Sequence, residues 1–176
     1  SDNYGQKIDS IFFTGDLTFS GKKEEFDALT EMLIEPLLSA LDITYDDLYI
    51  VPGNHDISRE KVNRIYAGYR ETASKNELEI LSKDVNEGTE VWSRIDNYID
   101  FKDEMSNRVK NSVYSGKLID VRAVSNKLNV YCLNSAWLAQ DKKDKGKLRV
   151  FNQLEFALKK YGKNKTNIVL MHHPTD

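Results

Sequence analysis

Three short apolar runs, each followed at once by polar residues of the kinds that bind metal ions, constrain this chain more than any other feature. The first run ends at Gly15-Asp16, the second at Gly53-Asn54-His55-Asp56 and the last at His172-His173. Each run has the length of a buried β-strand, and ligands in open α/β sheets collect beyond the carboxyl ends of strands. We therefore expect three clusters that are far apart in sequence to converge on one edge of a sheet.

The first fifty residues predict a strand, a helix and a second strand. Residues 8–14 are a short apolar run that indicates a buried strand, and residues 22–41 carry apolar side chains at helical spacing. Pro36 lies inside the helical pattern, which predicts a kink or a break near Glu35. A second strand over residues 47–51 completes a β-α-β unit, which is typical of a parallel sheet.

The character of the sequence changes between residue 58 and about residue 115, where charged residues are dense and aromatic residues recur. We interpret this stretch as a helical insertion, with helices over roughly 59–81 and 89–111, because it is too long for a simple connection. Its tyrosine and tryptophan side chains are expected to form the core of that insertion rather than a surface for stacking bases.

The remainder of the chain predicts two more strands, a helix and a final strand: residues 117–124 and 127–134 around a tight turn at Ser125-Asn126, then 152–161 with Asn152 as N-cap and Gly162 as stop, then 167–171. The predicted fold is therefore of the α/β class. We expect one domain over residues 1–176, a layered sheet with flanking helices and a helical insertion at about 58–115.

Composition narrows the class of function. The formal net charge is −3 and acidic and basic residues are mixed, which argues against a strongly basic nucleic-acid surface. No apolar stretch approaches the roughly 18 residues that a membrane span needs. The single cysteine, Cys132, lies in an apolar run, so we expect a buried small residue rather than a nucleophile. One cysteine forms no internal disulfide, which favours a reducing compartment, the cytoplasm.

The residue types at the strand ends favour a metal site. Carboxylate, amide oxygen and imidazole ligands together suit Mn²⁺, Fe or Zn²⁺ better than an ion that binds oxygen alone. Each residue also has a simpler interpretation, since Asp16 could cap a helix and Asn54 and His55 could be ordinary turn residues. Three such clusters at the ends of three strands favour the metal site over these alternatives.

The sequence resembles the calcineurin-like metallophosphoesterases at three places, in the family's order and spacing: GDLTFSG at 15–21, PGNHD at 52–56 and MHHP at 171–174. LNSAW at 133–137, followed by Gln153-Leu154, is similar to the phosphodiesterase-like branch. The resemblance implies a metallophosphoesterase fold truncated at both ends. Protein phosphatases of the family carry GDxVDRG and GNHE, so GDLTFSG and GNHD favour a phosphodiesterase or nuclease acting on a nucleotide, a cyclic nucleotide or nucleic acid.

The resemblance also implies a role for each residue of the motifs. Asp16 would bridge two divalent metal ions, with Mn²⁺ favoured, and Asn54 and His172 would bind the second ion. His55 would face the phosphate and stabilise or protonate the leaving oxygen, and Asp56 would orient His55 or brace the turn. The implied reaction is attack by a metal-bridging hydroxide, because two cations lower the pKa of a shared water.

The roles of two residues near the motifs stay open. His173 could bind a metal ion, support the ligands or be a plain surface histidine. Arg59 could meet a phosphate, although a solvated helix face is the better interpretation of its position.

Two motifs of the family are missing from this sequence. No Asp-x-His precedes Asp16, since Tyr4 stands where Asp2 would require a histidine, and no Gly-His-x-His follows Pro174. We expect an internal piece of a larger domain that holds one metal ion or none, with further domains in the same polypeptide. The alternative function is a phosphoesterase-fold module that binds a partner or regulates, without turnover.

Overall fold

A computed structural model describes residues 7–58, 92–140, 144, 148, 150 and 153–174, and it has the mixed α/β composition that the sequence predicts. The strands are β1 (Ile11–Phe13), β2 (Leu48–Ile50), β3 (Ser112–Ser115), β4 (Ile119–Ser125), β5 (Leu128–Leu133) and β6 (Thr166–Leu170). The helices are α1 (Lys23–Leu29), α2 (Glu35–Leu41), α3 (Asp96–Ser106) and α4 (Gln153–Tyr161). The α/β fold class is confirmed.

The described strands form two sheets. β1 pairs with β2 in parallel, with Ile11 opposite Leu48, and the other sheet has the order β3-β4-β5-β6. In that sheet β5 and β6 are parallel, whereas the β3-β4 and β4-β5 pairs are antiparallel. One apolar cluster joins the two sheets. Its buried members are Tyr49 of β2, Val51 just after β2, and Val130 and Cys132 of β5, and partly buried Leu170 of β6 packs against them. Two sheets, rather than one edge of one sheet, therefore bring the strand ends together.

The first strand is less buried than its sequence predicted. β1 covers only Ile11–Phe13 of the predicted range 8–14, and Ile8, which precedes it, is 46 % exposed. Successive side chains of a strand point to opposite faces, so Ile11 and Phe13 are partly buried while Phe12, between them, is 41 % exposed. Phe12 keeps part of its apolar surface covered by stacking on Tyr49, with ring centroids 5.1 Å apart.

The helical path from Lys23 to Leu41 changes its hydrogen-bonding pattern just before Pro36. A π-helical turn over Thr30–Ile34 joins α1 to α2, and the Glu35 N–H donates to the carbonyl of Thr30, five residues earlier. Pro36 has no N–H, so a regular α-helix would lack a bond at this point. The irregularity predicted near Glu35 is therefore a wider turn within the helical path, and the helix does not end there.

Apolar residues between Trp92 and Met105 belong to the main core. Trp92, Tyr98 and Phe101 are at most 4 % exposed and share one apolar cluster with Phe26 and Ile34 of the first helical segment. These three aromatic residues are thus core residues, as predicted, but the core is that of the domain itself.

Two boundaries in this region differ from the sequence prediction. The described part of the helix expected over 89–111 forms α3, Asp96–Ser106, and Ser112–Ser115 forms β3 inside the range 58–115 that was assigned to a helical insertion. β3 pairs with β4, and its Val113 and Tyr114 are residue types that favour strands. The predicted helix over roughly 59–81 lies outside the described residues.

The remaining predictions for this part of the chain are close to the structure. β4 and β5 form the expected hairpin, with its turn at Asn126-Lys127 rather than Ser125-Asn126. α4 ends at Tyr161, and the N–H of Gly162, the predicted stop, donates to the carbonyl of Leu158. Asn152, the expected N-cap, lies outside the described residues. Cys132 is buried as predicted, and burial raises the pKa of its thiol to about 12. No helix in the described part of the chain is long and apolar enough to cross a membrane.

Candidate metal centre

The three polar clusters meet in space. Gly15 follows β1, Gly53 follows β2 and His172 follows β6. A Cβ added to Gly15 would lie 2.5 Å from Nδ1 of His172 and 2.7 Å from the backbone nitrogen of Gly53. Real Cβ atoms do not come this close to other heavy atoms, so only glycine permits the approach. The clusters, up to 157 positions apart in sequence from Gly15 to His172, converge as predicted, but from two sheets rather than on one edge of one sheet.

Backbone conformation at these turns also requires small or polar residues. Gly15 has φ +98°, a region that side chains other than hydrogen rarely allow, and Asp16 has φ +56°. Aspartate tolerates the left-handed conformation better than most residues because its short side chain bonds locally. A Cβ at Gly53 would overlap the carboxylate of Asp16. Asp16 can therefore occupy its observed position only because positions 15 and 53 are both glycine.

Replacing Gly15 by alanine should lower the free energy of unfolding by about 1–3 kcal/mol, because the substitution combines a left-handed φ with a collision at His172. Gly116→Ala is the matched control. Its added Cβ would meet only the side chain of Tyr114, which is 38 % exposed and can move, so the cost should stay below about 1 kcal/mol. Urea unfolding of both variants measures the difference, and equal costs would contradict the tight contact at Gly15.

Asp16 and His172 face each other across the meeting point. Nε2 of His172 lies 3.6 Å from Oδ1 of Asp16, and Nδ1 of the same ring lies 2.7 Å from the carbonyl oxygen of Thr14. An Nδ1–H that donates to Thr14 leaves the lone pair on Nε2, the nitrogen that faces the carboxylate. Metal-binding histidines commonly hold their second N–H on a carbonyl in this way, which fixes the tautomer and the ring orientation.

The distance between these two atoms fits a shared ion. Two ligand atoms that each lie about 2.0–2.2 Å from one metal are roughly 3.0–3.6 Å apart. Asn54 is half-buried and directly follows Gly53, which lies against Asp16. Within the described ranges no group of three or more His, Cys, Asp or Glu side chains could hold a metal. The structure thus brings one carboxylate and one imidazole together, and the sequence places the amide of Asn54 next to them.

His55 is tied to the neighbouring turn through both its backbone and its ring. Its N–H donates to Oδ1 of Asp16 at 3.0 Å, and its Nδ1 lies 3.0 Å from the carbonyl oxygen of Phe19. The ring centroids of His55 and Phe19 are 5.9 Å apart. With Nδ1 held by a carbonyl, Nε2 is the ring atom left for a substrate.

Asp56 is 1 % exposed and joins the two glycine turns. Its Oδ1 accepts hydrogen bonds from the Thr18 N–H at 2.8 Å and the Thr18 hydroxyl at 3.0 Å, and its Oδ2 accepts one from the Gly53 N–H at 2.8 Å. Burial raises the pKa of Asp56, while these hydrogen bonds act in the opposite direction. The contacts support the bracing role that the sequence left open beside the orientation of His55. Thr18 was not among the predicted site residues, although it lies inside the GDLTFSG motif.

His173 points into a different set of contacts from His172. Its Nδ1 lies 2.9 Å from Oγ of Ser135, and its backbone N–H donates to the same oxygen at 3.2 Å. Burial lowers the pKa of His173, and the neighbouring His172 lowers it further. His173 thus anchors the end of β6 to the segment after β5. Ser135 was missed as a partner, although the LNSAW motif marked its position. Arg59 lies outside the described residues.

The mixed α/β fold and the meeting of Asp16 with His172 are consistent with a metal-dependent phosphoesterase. The chain belongs to the calcineurin-like phosphoesterase family, whose family model matches residues 3–176. This match confirms the resemblance seen in the motifs.

One relative supports the same superfamily at lower coverage. Over 82 residues the chain is 32 % identical to a protein of Arcobacter nitrofigilis that is named "Probable glycerophosphodiester phosphodiesterase GpdQ". The aligned part is 47 % of this chain and 27 % of that protein, so the chain spans about a quarter of the length of this relative. No solved structure matches the chain at a significant level.

Proposed function

We propose that the chain hydrolyses a phosphodiester, in a nucleotide, a cyclic nucleotide or nucleic acid, at a metal site built from Asp16, Asn54 and His172. Membership of the calcineurin-like family supports a phosphoesterase function at the general level. The observation that carries the proposal is the geometry of His172, whose Nδ1 is held by Thr14 while its Nε2 lies 3.6 Å from Oδ1 of Asp16. The ring thus has a carbonyl oxygen at one nitrogen and a carboxylate beyond the other, the partners that a metal-binding histidine commonly has.

Divalent metal ions fit this donor set. Asp16, Asn54 and His172 would together hold one divalent ion, and Asp16 would also hold the second ion of the proposed pair. Mn²⁺ is proposed because two of the three ligand atoms would be oxygens, which suit this ion. When bound, the ions supply a lowered pKa for a water molecule and charge stabilisation for the attacking and leaving oxygens.

The residues of the chain itself position the reacting groups. The carbonyl of Phe19 holds Nδ1 of His55, so that a protonated His55 offers its Nε2–H to the leaving oxygen. Asp56 fixes the turn on which His55 stands through its bonds to Gly53 and Thr18. In this proposal His55 is the catalytic acid and Asp56 acts on the geometry of the site.

A diester is proposed rather than a phosphoprotein because of the residues in the first motif. Phe19 and Ser20 stand where the protein phosphatases of the family carry Asp-Arg, and Asp56 stands where they carry Glu. The relative from Arcobacter nitrofigilis is also named for a diester, which supports this choice without identifying the substrate.

The protein should hydrolyse bis(p-nitrophenyl) phosphate in the presence of Mn²⁺, and faster than it hydrolyses p-nitrophenyl phosphate. Removing the metal with a chelator should abolish turnover, because the water then keeps its high pKa, and adding Mn²⁺ back should restore it. Release of p-nitrophenolate measures both reactions. Turnover with none of Mn²⁺, Fe²⁺ or Zn²⁺ on either ester would favour the alternative, a module that binds or regulates without catalysis.

Two further parts of the proposal concern the setting of the site. A cytoplasmic location is proposed because Cys132 is a free, buried thiol and the sequence has no second cysteine to pair with it. Additional domains in the same polypeptide remain a prediction.

A further inference from the structure

Phe19 is the most exposed of the large hydrophobic side chains in the described residues, at 82 %. It lies directly beside the candidate acid, with its ring centroid 5.9 Å from that of His55 and the two planes tilted by 42°. Its own carbonyl oxygen is the partner of Nδ1 of His55. An exposed aromatic ring therefore lies at the rim of the site, next to the group proposed to protonate the leaving oxygen.

The loop that carries Phe19 is held on both sides. Thr18 bonds through its N–H and its hydroxyl to the buried carboxylate of Asp56, and the Gly21 N–H donates to the Thr18 hydroxyl oxygen at 3.1 Å. On the other side, the Ser20 N–H donates to the carboxylate of Glu25 at 3.0 Å. The position of the ring is thus set by a braced loop, and little conformational entropy would be lost when a ligand stacks on it.

The loop that carries Phe19 is also bonded to α3, a helix that contributes to the main core. The carbonyl of Gly21 accepts a hydrogen bond from the side chain of Asn97 on α3 at 2.8 Å. Gly21 has φ +68° and packs its Cα against the backbone of Asp56 and Ile57, where a Cβ would collide. The hydrogen bonds of this loop do not involve the side chain of position 19, so a polar residue would fit there equally well. The residue at this exposed position is nevertheless the apolar Phe19.

We propose that the ring of Phe19 is the surface on which the leaving-group side of the substrate stacks, so that the site selects diesters whose leaving group carries a planar aromatic ring, such as a nucleoside. This inference rests on the proposed function, because it takes His55 as the group that faces the leaving oxygen. The substituent on that oxygen then lies on the same side as Phe19. A base or an aryl ring gains stacking there, whereas a glycerol group gains nothing comparable.

The test compares Phe19→Leu with the unchanged protein on three diesters in saturating Mn²⁺. Two have aromatic groups, bis(p-nitrophenyl) phosphate and the dinucleotide thymidylyl-thymidine, and one has only alkyl groups, glycerophosphocholine. Leucine keeps an apolar side chain but removes the ring. We expect kcat/KM for the aromatic diesters to fall by about tenfold, mostly through a higher KM, because stacking acts on bound substrate and transition state alike. For glycerophosphocholine kcat/KM should stay within about twofold.

Two further variants make the result specific. Phe19→Tyr keeps a ring and should retain the preference for aromatic diesters. Phe156→Leu is the matched control, since it makes the same change at a phenylalanine on α4 that is 59 % exposed, and it should leave every rate unchanged. Thermal unfolding of Phe19→Leu should match that of the unchanged protein, because an exposed ring contributes little to the folded state.

The outcomes separate this inference from the function on which it rests. Turnover of all three diesters with no change of preference in Phe19→Leu overturns the stacking role and leaves the proposed function standing. An equal loss on aromatic and alkyl diesters also overturns it, since Phe19 would then act only by holding His55. If the unchanged protein hydrolyses none of the diesters with any metal, the proposed function fails and the inference fails with it.

Discussion

Replacing His172 by alanine should reduce Mn²⁺-dependent hydrolysis of bis(p-nitrophenyl) phosphate by about 1,000-fold or more in kcat/KM. The reason is geometric. Nε2 of His172 lies 3.6 Å from Oδ1 of Asp16, a distance that one ion can span, and Nδ1 is already committed to Thr14. Alanine removes the imidazole ligand and leaves only Asp16 and Asn54 of the proposed set, so the site should lose metal at ordinary concentrations.

His173→Ala is the matched control for this variant. It removes an imidazole at the next position, whose Nδ1 contacts Ser135 rather than a ligand, so the loss should be about 10-fold to 100-fold, as for groups that only support a metal site. Both variants should be compared at several Mn²⁺ concentrations after circular dichroism has verified folding. Equal losses in the two variants, or His172→Ala with more than a tenth of the original activity, would contradict the assignment of His172 as a ligand.

His55→Ala should lower kcat by about 100-fold to 10,000-fold on a diester with an alkoxide leaving group, because such a group needs a proton as it departs. The loss on bis(p-nitrophenyl) phosphate should be much smaller, since nitrophenolate is a stable anion that can leave unprotonated. Rates on glycerophosphocholine and bis(p-nitrophenyl) phosphate, measured with the same enzyme and metal, give the ratio that reports acid catalysis.

Metal affinity is the second readout for His55→Ala. The His55 side chain is not a proposed ligand, and the N–H that donates to Asp16 belongs to the backbone, which alanine retains. Mn²⁺ should therefore bind with the same Kd as in the unchanged protein. If His55→Ala lowers kcat by the same factor on both esters, His55 is not the acid. If the variant binds Mn²⁺ more weakly, His55 is part of the metal site instead.

The turns of the site could be predicted because they follow local rules. An apolar strand followed by Gly-Asp or Gly-Asn leaves few backbone conformations for the turn. At position 15 only glycine, which has no Cβ, fits against His172. Strand ends are also where ligands collect in α/β folds, which is why residues as distant as Asp16 and His172 could be assigned to one place.

The parts that could not be predicted depend on tertiary contacts. β3 is an exposed segment that pairs with β4, and one apolar cluster joins residues from β2 and its extension with residues from β5 and β6. The bonds from Asp56 to Thr18 and from Ser135 to His173 each join residues 38 positions apart, so no local pattern reveals them. The motif strings marked these positions as important, but the roles of the side chains required the geometry.

The π-helical turn before Pro36 could be predicted in part. Proline in a helical pattern predicts a disturbance, and one occurs, but sequence alone does not say whether the helix bends, ends or widens. Here Thr30–Ile34 widens, and Ile34 stays buried at 1 % exposure in the same cluster as Phe26. The burial of this apolar face is a tertiary reason for the helix to continue past the proline.

Isothermal titration of Mn²⁺ into the metal-free protein tests most directly whether the three strand ends form a metal site. We expect saturable binding of Mn²⁺ by the unchanged protein. The Kd of His173→Ala should be no more than about 10-fold to 100-fold weaker than that of the unchanged protein. His172→Ala should show no saturable binding over the same concentration range. Binding of Mn²⁺ by His172→Ala with an unchanged Kd would contradict the account, because the ion would then be held somewhere other than between Asp16 and His172.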